Sequence, residues 1–443
     1  MPSCIPRLML AAADLGALVL PGASAAATAR EGRRTLDRDR EAGGHPAAMI
    51  PNDASSGPLA GVRVLDLSGY IAGPYGCTLL ADQGAEVIKI EPPQGDNLRK
   101  YPSTLAAEGR AFMGVNRGKR GLALDLKLPQ GREVLTRLVK DADVLVHNFR
   151  PAVPARLGID YDTLRAVNPR LVYCALTGYG DTGPMKDRAG YDQVLQAMTG
   201  ICAMQGSSEA PQIAYGSVVD YYAAALLAGG VASALFERER TGRGQYVGIS
   251  LLRSAMAMQS SRFIWAEGEG RHVYRDMRSG GITGLHPTKA GTIYLSANTP
   301  HFWTALCALL GTPELASDPR YDTVRKRAEH ASEIVPRIRE ALSAHTALEW
   351  EQIFGEEVPC SAVREVEDMF DHPQVQSEQM IATYAHPLVG TYRGLTRAYK
   401  FGDGTTPPPR PAPSFGQHSE AVLAQHGYSS DEISALRSAG AIA

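Results

Sequence analysis

Short apolar runs alternate with stretches of helical periodicity from residue 58 onward. The runs at 62–68, 85–91, 121–127, 143–149 and 170–180 are rich in β-branched residues and predict strands. The segments 73–84 and 129–142 have helical spacing, and each has a proline near its start. Strands that alternate with helices are typical of a parallel sheet with crossover helices. The pattern therefore predicts an α/β fold with a Rossmann-like doubly wound sheet, whose ligand site lies at the strand ends.

The second half of the chain predicts a further strand, a linker and a smaller domain. A long helix from residue 220 and a strand at 246–252 complete a predicted large domain at 58–252. Helical spacing fades along 253–276, which we interpret as a linker. Strand-like 292–297, a helix from residue 301 and helical patterns at 330–345 and 347–354 predict a smaller α/β domain at 277–375. The proline-rich segment 376–443 is predicted to return to the large domain.

Residues 1–57 have a different character from the rest of the chain. An apolar stretch with an A-x-A-like end resembles a secretory signal, but Asp14 interrupts it. The residues that follow are rich in charge, glycine and proline, which is typical of disordered segments. We therefore predict a disordered or processed extension outside the fold, and the sequence leaves open whether the native protein carries it.

Composition and charge narrow the classes of function. The chain has 443 residues, 44% of them hydrophobic, and its 45 basic and 47 acidic residues give a net charge of −2. This balance favours neither a nucleic-acid nor a membrane partner. Six cysteines are scattered without a CxxC pair, which indicates reduced thiols in the cytoplasm, and without clustered ligands we predict no metal.

The loop after the first predicted strand argues against a dinucleotide or ATP site. Its glycines at 69, 73 and 76 do not form G-x-G-x-x-G, and the sequence has no G-K-[ST] phosphate loop.

Asp220 interrupts an otherwise apolar pattern. It stands between Val218–Val219 and a long run of small and apolar residues that predicts a helix. Aspartate is a favoured N-cap, because its carboxylate accepts hydrogen bonds from the first free backbone N–H groups. A carboxylate beside apolar walls is also a candidate nucleophile. The residues alone leave both interpretations open.

Six ordered segments between residues 58 and 430 resemble the class III CoA-transferases, also called the CaiB/BaiF group. They include "VRVLDLSGYIAGPYG", "DVLVHNFRP", "LVYCALTGYGDTGP", "AGYDQVLQAMTG", "GSVVDYYAAAL" and "RTGRGQYVGISLL". Formyl-CoA transferase, carnitine CoA-transferase and α-methylacyl-CoA racemase belong to that group. The resemblance implies a Rossmann-like large domain, a smaller domain and two chains interlocked as a homodimer.

The resemblance also implies a reaction and its participants. Asp220 falls where the transferases carry their catalytic aspartate, which forms a mixed anhydride and then an aspartyl-CoA thioester. The partners are then an acyl-CoA and a carboxylic acid acceptor. The CoA thioester is a substrate, and no permanently bound cofactor is expected.

The implied binding residues fall into two groups. Lys127, Asn148, Phe149 and Arg156 match residues that contact CoA, and Leu124 and Leu157 complete the predicted CoA-binding set. Ile71 and Tyr191 are predicted walls of the acyl pocket, and Gly280 and Gly281 match a glycine-rich loop that covers the intermediate. That loop could equally be a plain turn.

Two positions depart from the family pattern. Pro92 stands where a relative has arginine. Ile71 replaces the glutamine of formyl-CoA transferase, which argues against formyl or oxalyl groups.

Two other functions stay open at this point. A racemase would need two acid–base groups, but the motif that carries histidine in racemases has Tyr191 here, and a tyrosine with a pKa of about 10 is a poor base. Asp192 could act, although its adjacency does not place it on the reacting face. His286 and His301 could enter the pocket, but a lone histidine is more often structural. The other alternative is a CoA-binding partner subunit without its own chemistry.

The acid substrates cannot be read from the sequence. The residues Ile71, Tyr75, Tyr191, Tyr221 and Tyr222 predict aromatic and aliphatic walls. Such walls suit a short dicarboxylate, a branched acid or an aryl acid, and transfer between two carboxyls of one diacid is also compatible.

Overall fold

The computed structural model describes residues 57–105, 107–206, 209–270, 281–402 and 410–443. The predicted extension at 1–57 therefore lies outside the described residues except for Gly57, and Gly280 also lies outside them.

The largest element is a six-stranded parallel sheet with the order β3-β2-β1-β4-β5-β6. This is the strand order of Rossmann folds, so the predicted parallel α/β sheet is confirmed. Its strands are β1 (Arg63–Asp66), β2 (Glu86–Glu91), β3 (Arg120–Ala123), β4 (Val144–His147), β5 (Val172–Thr177) and β6 (Tyr246–Ser250). The helices along the same part of the chain are α1 (Ala72–Asp82), α2 (Arg110–Asn116), α3 (Pro129–Asp141), α4 (Ala152–Leu157), α5 (Tyr161–Val167), α6 (Asp192–Met198), α7 (Ile201–Gln205), α8 (Val218–Thr241) and α9 (Leu251–Ala257).

Alternating side chains of these strands enter two hydrophobic cores. Val64 and Val146 belong to a core with α1 and α8, whereas Leu65 and Leu145 belong to a core with α3 and α5 on the other face. Successive side chains of a strand point to opposite faces, so a sheet covered on both sides needs apolar residues at nearly every position. This requirement explains the continuous apolar runs of the sequence.

Helix α8 packs closely on α1. At Gly76 of α1, an added Cβ would lie 2.9 Å from the Leu227 side chain, so a larger residue would separate the two helices. In the described part of the chain, α8 is the one helix long and apolar enough to cross a membrane by length and composition, with 44% of its most apolar window buried. A core helix passes the same test, and buried Arg238 near its end pairs with Asp143 at 2.9 Å.

A second sheet is antiparallel and has its own core. It has the order β7-β8-β9, from β7 (Gly284–Pro287), β8 (Thr292–Leu295) and β9 (Cys360–Ala362). The helices along the same part of the chain are α10 (Pro300–Leu309), α11 (Pro313–Ser317), α12 (Val324–Glu329), α13 (Ala331–Leu342), α14 (Ala347–Phe354) and α15 (Pro373–Ser377). Trp303, Ile338 and Trp350 are buried in this core. Strand β7, with the sequence "GLHP", was missed because it lacks alternating apolar residues.

The last part of the described chain reaches the parallel sheet. A hairpin of β10 (Ile381–His386) and β11 (Gly390–Leu395) precedes α16 (Ser419–Gln425) and α17 (Ser430–Ser438). Val422, Leu423 and Ile433 of these helices are buried in the core that contains α3. The predicted strand 121–127 ends early, at Ala123, because Asp125 N–H donates to Ala441 O at 2.9 Å and Leu124 forms a bridge with Ile442.

Candidate active site

Two cavities open near the carboxyl ends of the parallel strands. The order of the sheet reverses between β1 and β4, and ligands of doubly wound sheets bind outside the strand ends at such a point. Asn148, directly after β4, ties the two loops together there. Its side-chain amide donates to Gly69 O at 2.8 Å, and Gly69 N–H donates to its Oδ1 at 2.9 Å. Asn148 lines one cavity and Phe149 lines the other.

The first cavity, here called the aspartate cavity, has a volume of about 220 Å³. It brings together Ile71, Asn148, Tyr191 and Asp220 from the predicted site. Other lining residues include Tyr70, Tyr101, Thr177, Asp192, Gln193, Ser217 and Leu251. Most of the lining comes from the loops after β1, β4 and β5 and from the start of α8, while Tyr101 follows β2 and Leu251 begins α9. A carboxylic acid or an acyl group of a few carbons has the size and mixed polarity for this space.

Asp220 is the third residue of α8, not its N-cap. The N-cap position is Ser217, whose φ of 58° is left-handed and whose side chain makes no capping bond. The interpretation of Asp220 as a cap is therefore wrong. Burial raises the pKa of the half-buried Asp220 to about 7, and the negative charge of Asp192 contributes to the same shift. A carboxyl with this pKa is partly ionised near neutral pH.

Asp192 supplies the cap of α8 from another helix. Its Oδ2 accepts hydrogen bonds from Val219 N–H at 2.6 Å and Asp220 N–H at 3.0 Å, and Gln196 donates to its Oδ1. From its sequence, Asp192 is an acid that could act, but its adjacency to Tyr191 does not place it in the site. The capping contact joins residues that are far apart in sequence, so no local pattern indicates it.

Two glycines bring this part of the site together. Gly178, after β5, lies against Gly190, and a Cβ added to Gly178 would lie 2.9 Å from Gly190 Cα. This contact sets the backbone that carries Tyr191 and Asp192 beside the end of β5. A side chain at either position would push the two loops apart.

Tyrosines form the outer wall of the aspartate cavity. Tyr70 lies edge-on to Tyr101 and Tyr191, with ring centroids 6.3 and 5.9 Å away. Tyr70 and Tyr101 were missed by sequence reasoning, although Tyr70 directly precedes Ile71. Three predicted wall residues are wrong, because Tyr75, Tyr221 and Tyr222 are absent from the lining. Tyr75 and Tyr221 instead pack edge to face, with centroids 4.9 Å apart.

The second cavity, here called the apolar cavity, has a volume of about 470 Å³. It brings together five residues of the predicted CoA-binding set, namely Leu124, Lys127, Phe149, Arg156 and Leu157. Leu67, Ile90, Leu126 and Val153 add apolar walls, and Pro92 also lines the space. Lys127 and Arg156 are exposed. An apolar body with cations at the rim can hold a ligand that joins a ring or an aliphatic chain to phosphate groups.

His147 fixes the backbone beside this cavity. Its Nδ1 accepts a hydrogen bond from Phe149 N–H at 3.1 Å, and its ring stacks on the Phe149 ring with centroids 5.3 Å apart. Burial lowers the pKa of His147 to about 4, so the ring is neutral at physiological pH. This residue was missed by sequence reasoning.

Of the remaining predicted candidates, those that the structure describes lie away from both cavity linings. Gly281 has a left-handed φ of 92°, but it lines neither cavity, and its partner Gly280 is outside the described residues. His286 is buried and bonded through Nε2 to Ile282 O at 3.0 Å, while His301 is exposed. Across the described residues, no group of three or more His, Cys, Asp or Glu side chains could hold a metal ion.

Comparison with known proteins gives consistent matches. The model of CoA-transferase family III matches residues 59–419. The chain is 31% identical to succinyl-CoA:glutarate CoA-transferase of Mus musculus over 373 residues, which is 83% of this chain and 86% of that protein. It is 34% identical to acetyl-CoA:oxalate CoA-transferase of Acetobacter aceti over 339 residues, 73% of this chain and 85% of that protein. The crystal structure of a CAIB/BAIF family protein from Brucella suis matches with a TM-score of 0.73 and 29% identity, covering 84% of this chain and 99% of that one.

Proposed function

Because this chain belongs to CoA-transferase family III, we propose that it moves CoA between an acyl-CoA and a free carboxylic acid through covalent intermediates on Asp220. One observation carries the assignment of Asp220. Its carboxyl, with a pKa raised to about 7, lines a cavity of acyl size that adjoins an apolar cavity with cations at its rim. The proposed nucleophile and the proposed CoA cavity therefore lie side by side where the strand order of the sheet reverses, which supports the assignment.

The proposed reaction has four balanced steps. A carboxylate oxygen of Asp220 attacks the thioester carbonyl, the C–S bond breaks, and CoA leaves as a thiolate with formation of a mixed anhydride. The thiolate attacks the aspartyl carbonyl and releases the first acid as a carboxylate. The acceptor carboxylate then attacks the aspartyl-CoA thioester and again releases the thiolate. Finally the thiolate attacks the acceptor's acyl carbon, which yields the new acyl-CoA and regenerates Asp220.

CoA is proposed to occupy the apolar cavity. Leu124, Phe149 and Leu157 would contact its apolar and ring surfaces, and the exposed cations Lys127 and Arg156 would approach its phosphates. Asn148 stands between the two cavities, so the thioester end of CoA would pass it to reach Asp220.

We propose a short carboxylic acid as acceptor, with a dicarboxylate as the first candidate to test. The names of the relatives refer to succinyl-CoA with glutarate and to acetyl-CoA with oxalate. A cavity of about 220 Å³ has room for acids of this size. Ile71 presents an aliphatic wall, which favours the longer of these acids over oxalate.

No observation favours the racemase. Asp192 is buried and already accepts hydrogen bonds from two backbone N–H groups and Gln196, so it is not a free base. Tyr191 is half-exposed and contacts Tyr70. With the Asp192 carboxyl engaged by these bonds, Asp220 is left as the carboxyl of the described cavity lining that can react, which fits group transfer better than proton exchange at two faces.

A homodimer, two domains and a cytoplasmic location complete the proposal. Exposed apolar side chains collect after α9, where Phe263, Ile264 and Trp265 are 49%, 69% and 61% exposed. Such a surface on a soluble protein is typical of an interface, which supports a second copy as its partner.

The two domains are proposed at 58–252 and 277–375, and the segment 376–443 is proposed to return to the first domain. Size-exclusion chromatography with light scattering tests the assembly, and a monomeric mass would contradict it.

The function is tested by trapping the intermediate. Purified protein is incubated with succinyl-CoA or acetyl-CoA in the presence or absence of glutarate, treated with hydroxylamine and analysed by peptide mass spectrometry. We expect CoA exchange and a hydroxamate on Asp220, since both the anhydride and the thioester react with hydroxylamine.

Asp220→Asn and Asp187→Asn form the matched pair of variants. Asp187 is an exposed acid in the loop before Tyr191, so its substitution controls for the loss of one negative charge. We expect exchange to fall at least about a thousandfold in Asp220→Asn only, as for loss of a covalent nucleophile. Full exchange by Asp220→Asn would refute the mechanism. Deuterium exchange at the α-carbon without CoA transfer would instead favour the racemase.

A further inference from the structure

Resting on the proposed role of Asp220, we infer that Asp192, held in place by Gln196, is a positioning residue that withholds the N–H groups of α8 from the nucleophile. The Asp192 carboxylate, which belongs to α6, would do this by accepting the hydrogen bonds of the first N–H groups of α8. The site would then contain two carboxyl groups with different tasks, Asp220 as nucleophile and Asp192 as helix cap.

The start of α8 lacks a local cap. Ser217 has a left-handed backbone and no side-chain capping bond, so the N–H groups of the first turn need an acceptor from elsewhere. Asp192 Oδ2 accepts from both Val219 N–H and Asp220 N–H, at 2.6 and 3.0 Å. The carboxylate is thus bound directly to the backbone of the proposed nucleophile.

Gln196 fixes the orientation of that carboxylate. Its Oε1 accepts from Ala214 N–H at 2.9 Å, and its Nε2 donates to Ala214 O at 2.8 Å and to Asp192 Oδ1. Both side chains are buried, with Asp192 2% and Gln196 0% exposed. The backbone contacts determine which end of the amide faces Asp192, so the carboxylate has one preferred position.

This arrangement changes the chemistry of Asp220. A carboxylate in the first turn of a helix is normally stabilised by free N–H groups and the helix dipole. Here the Asp220 N–H and its neighbour are bonded to Asp192, and the nearby negative charge of Asp192 further disfavours ionisation. The Asp220 carboxylate is therefore less stabilised, and a less stabilised carboxylate attacks a thioester more readily.

Asp192 is the charged group that faces Asp220 among the described residues. The other lining or neighbouring groups that can titrate are tyrosines, namely Tyr70, Tyr101, Tyr191, Tyr221 and, beyond Tyr221, Tyr75 of α1. Strand β5 and helix α9 contribute Leu176, Thr177 and Leu251, which do not titrate. Tyrosines are neutral near pH 7, so a change in the charge at position 192 should dominate the titration of Asp220.

The test compares Asp192→Asn with Asp187→Asn. Asparagine keeps an acceptor for the α8 N–H groups but removes the charge. The rate of Asp220 adduct formation in a single turnover is measured from pH 5 to 9. We expect the midpoint of the acidic limb to fall by about half a pH unit or more in Asp192→Asn and to stay unchanged in Asp187→Asn. A wild-type profile for folded Asp192→Asn would overturn the inference.

Gln196→Leu separates position from charge and covers the case in which Asp192→Asn does not fold. It keeps the Asp192 charge and removes the donor that orients it. We expect kcat to fall about tenfold without a lowered midpoint, since orientation alone is lost. Wild-type kcat in Gln196→Leu would overturn the claim that Gln196 positions the carboxylate.

Hydrogen exchange distinguishes failure of the cap from failure of the proposed function. In the wild type, the Val219 and Asp220 amides should exchange slowly, and in Asp192→Ala they should exchange at least about fivefold faster, as expected for loss of a cap. Unchanged exchange would refute the cap whatever the activity. If the wild type forms no adduct with any donor while this protection is observed, the proposed function fails and the cap stands.

Discussion

At the scale of single residues, Asp220 is a carboxyl that the folded protein ionises with difficulty. Burial and the charge of Asp192 raise its pKa to about 7 from an ordinary value of 3.8. The protonated form is favoured below this pKa and cannot attack a thioester. In its proposed role as nucleophile, Asp220 is thus available only over the neutral and alkaline range.

The first prediction concerns the pH dependence of this chemistry. We expect adduct formation on Asp220 to increase with pH with a midpoint near 7, because the carboxylate fraction increases through the folded pKa. Single-turnover trapping with acetyl-CoA in overlapping buffers from pH 5 to 9 measures it. A rate of adduct formation that is already maximal at pH 5 would mean that the pKa of Asp220 is not raised, and it would contradict the prediction.

The second prediction concerns stability. Since the folded pKa of Asp220 is raised above its unfolded value, the folded state binds more protons between pH 4 and 7 and loses stability as pH increases through that window. Asp220→Asn should therefore increase the free energy of unfolding at pH 8, on the order of 1–3 kcal/mol, and much less at pH 4.5. Urea unfolding at the two pH values tests this, with Asp187→Asn as control. An equal change in the free energy of unfolding at pH 8 and pH 4.5 would contradict this coupling between ionisation of Asp220 and folding.

How much of the site follows from sequence differs from residue to residue. Ile71 and Tyr191 were expected beside Asp220, and all three line one cavity. Asn148 was expected with the CoA-binding residues, but it lines the aspartate cavity instead. The role of Asp220 as a cap was wrong, because the capping carboxylate comes from a different helix. Tyr75, Tyr221 and Tyr222 were wrong as wall residues, because a sequence of aromatics does not determine which faces of neighbouring helices they occupy.

At the scale of elements, short loops after the strands determine the site. Asn148 ties the loop after β4 to the loop after β1 through two hydrogen bonds with Gly69. His147, one residue earlier, holds the backbone of Phe149, whose ring lines the apolar cavity. Three consecutive residues therefore link the two cavities.

The third prediction is that His147 acts through Phe149 on CoA binding. His147→Leu removes the acceptor for Phe149 N–H, and we expect the KM for acyl-CoA to increase about three- to tenfold with kcat little changed. His147→Asn can present its Oδ1 near the position of Nδ1 and should restore most of the affinity. Steady-state kinetics with varied acyl-CoA measures both. A fall in kcat alone, or equal effects of Leu and Asn, would contradict this role.

The order of elements was more predictable than their ends. Each predicted strand of the parallel sheet is present, because buried parallel strands need apolar residues on both faces. The end of β3 was not predictable, since Leu124 and Asp125 pair with Ile442 and Ala441, more than three hundred residues later, while Leu124 N–H still donates to Glu91 O of β2 at 2.8 Å. Strand β7 is held by its pairing with β8 rather than by an apolar pattern of its own.

At the scale of the whole molecule, buried ion pairs join elements beneath the site. Lys119 Nζ donates to Asp66 Oδ2 at 2.7 Å, Pro74 O at 2.7 Å and Asn116 Oδ1 at 2.8 Å, and so connects β1, α1 and α2. Both charged side chains are fully buried. The Asp66 carboxyl also accepts from Ser68 N–H at 3.0 Å, at the base of the loop that leads to Ile71.

The fourth prediction is that breaking this pair destabilises the entire fold. Lys119→Met leaves the Asp66 charge buried without the cation that is bonded to it directly and should cost about 3–5 kcal/mol in the free energy of unfolding. Although burial opposes ionisation, the charges of Lys119 and Lys89 and the hydrogen bonds lower the pKa of Asp66 to about 2, so its stabilising contribution exists above pH 4 and is lost as pH falls towards 2. The difference in the free energy of unfolding between wild type and Lys119→Met should therefore become smaller in acid.

Lys326→Met serves as the control, because it removes the exposed pair with Asp322. It should cost less than about 1 kcal/mol in the free energy of unfolding. Equal costs for the two lysines would mean that the buried pair does not hold these elements together.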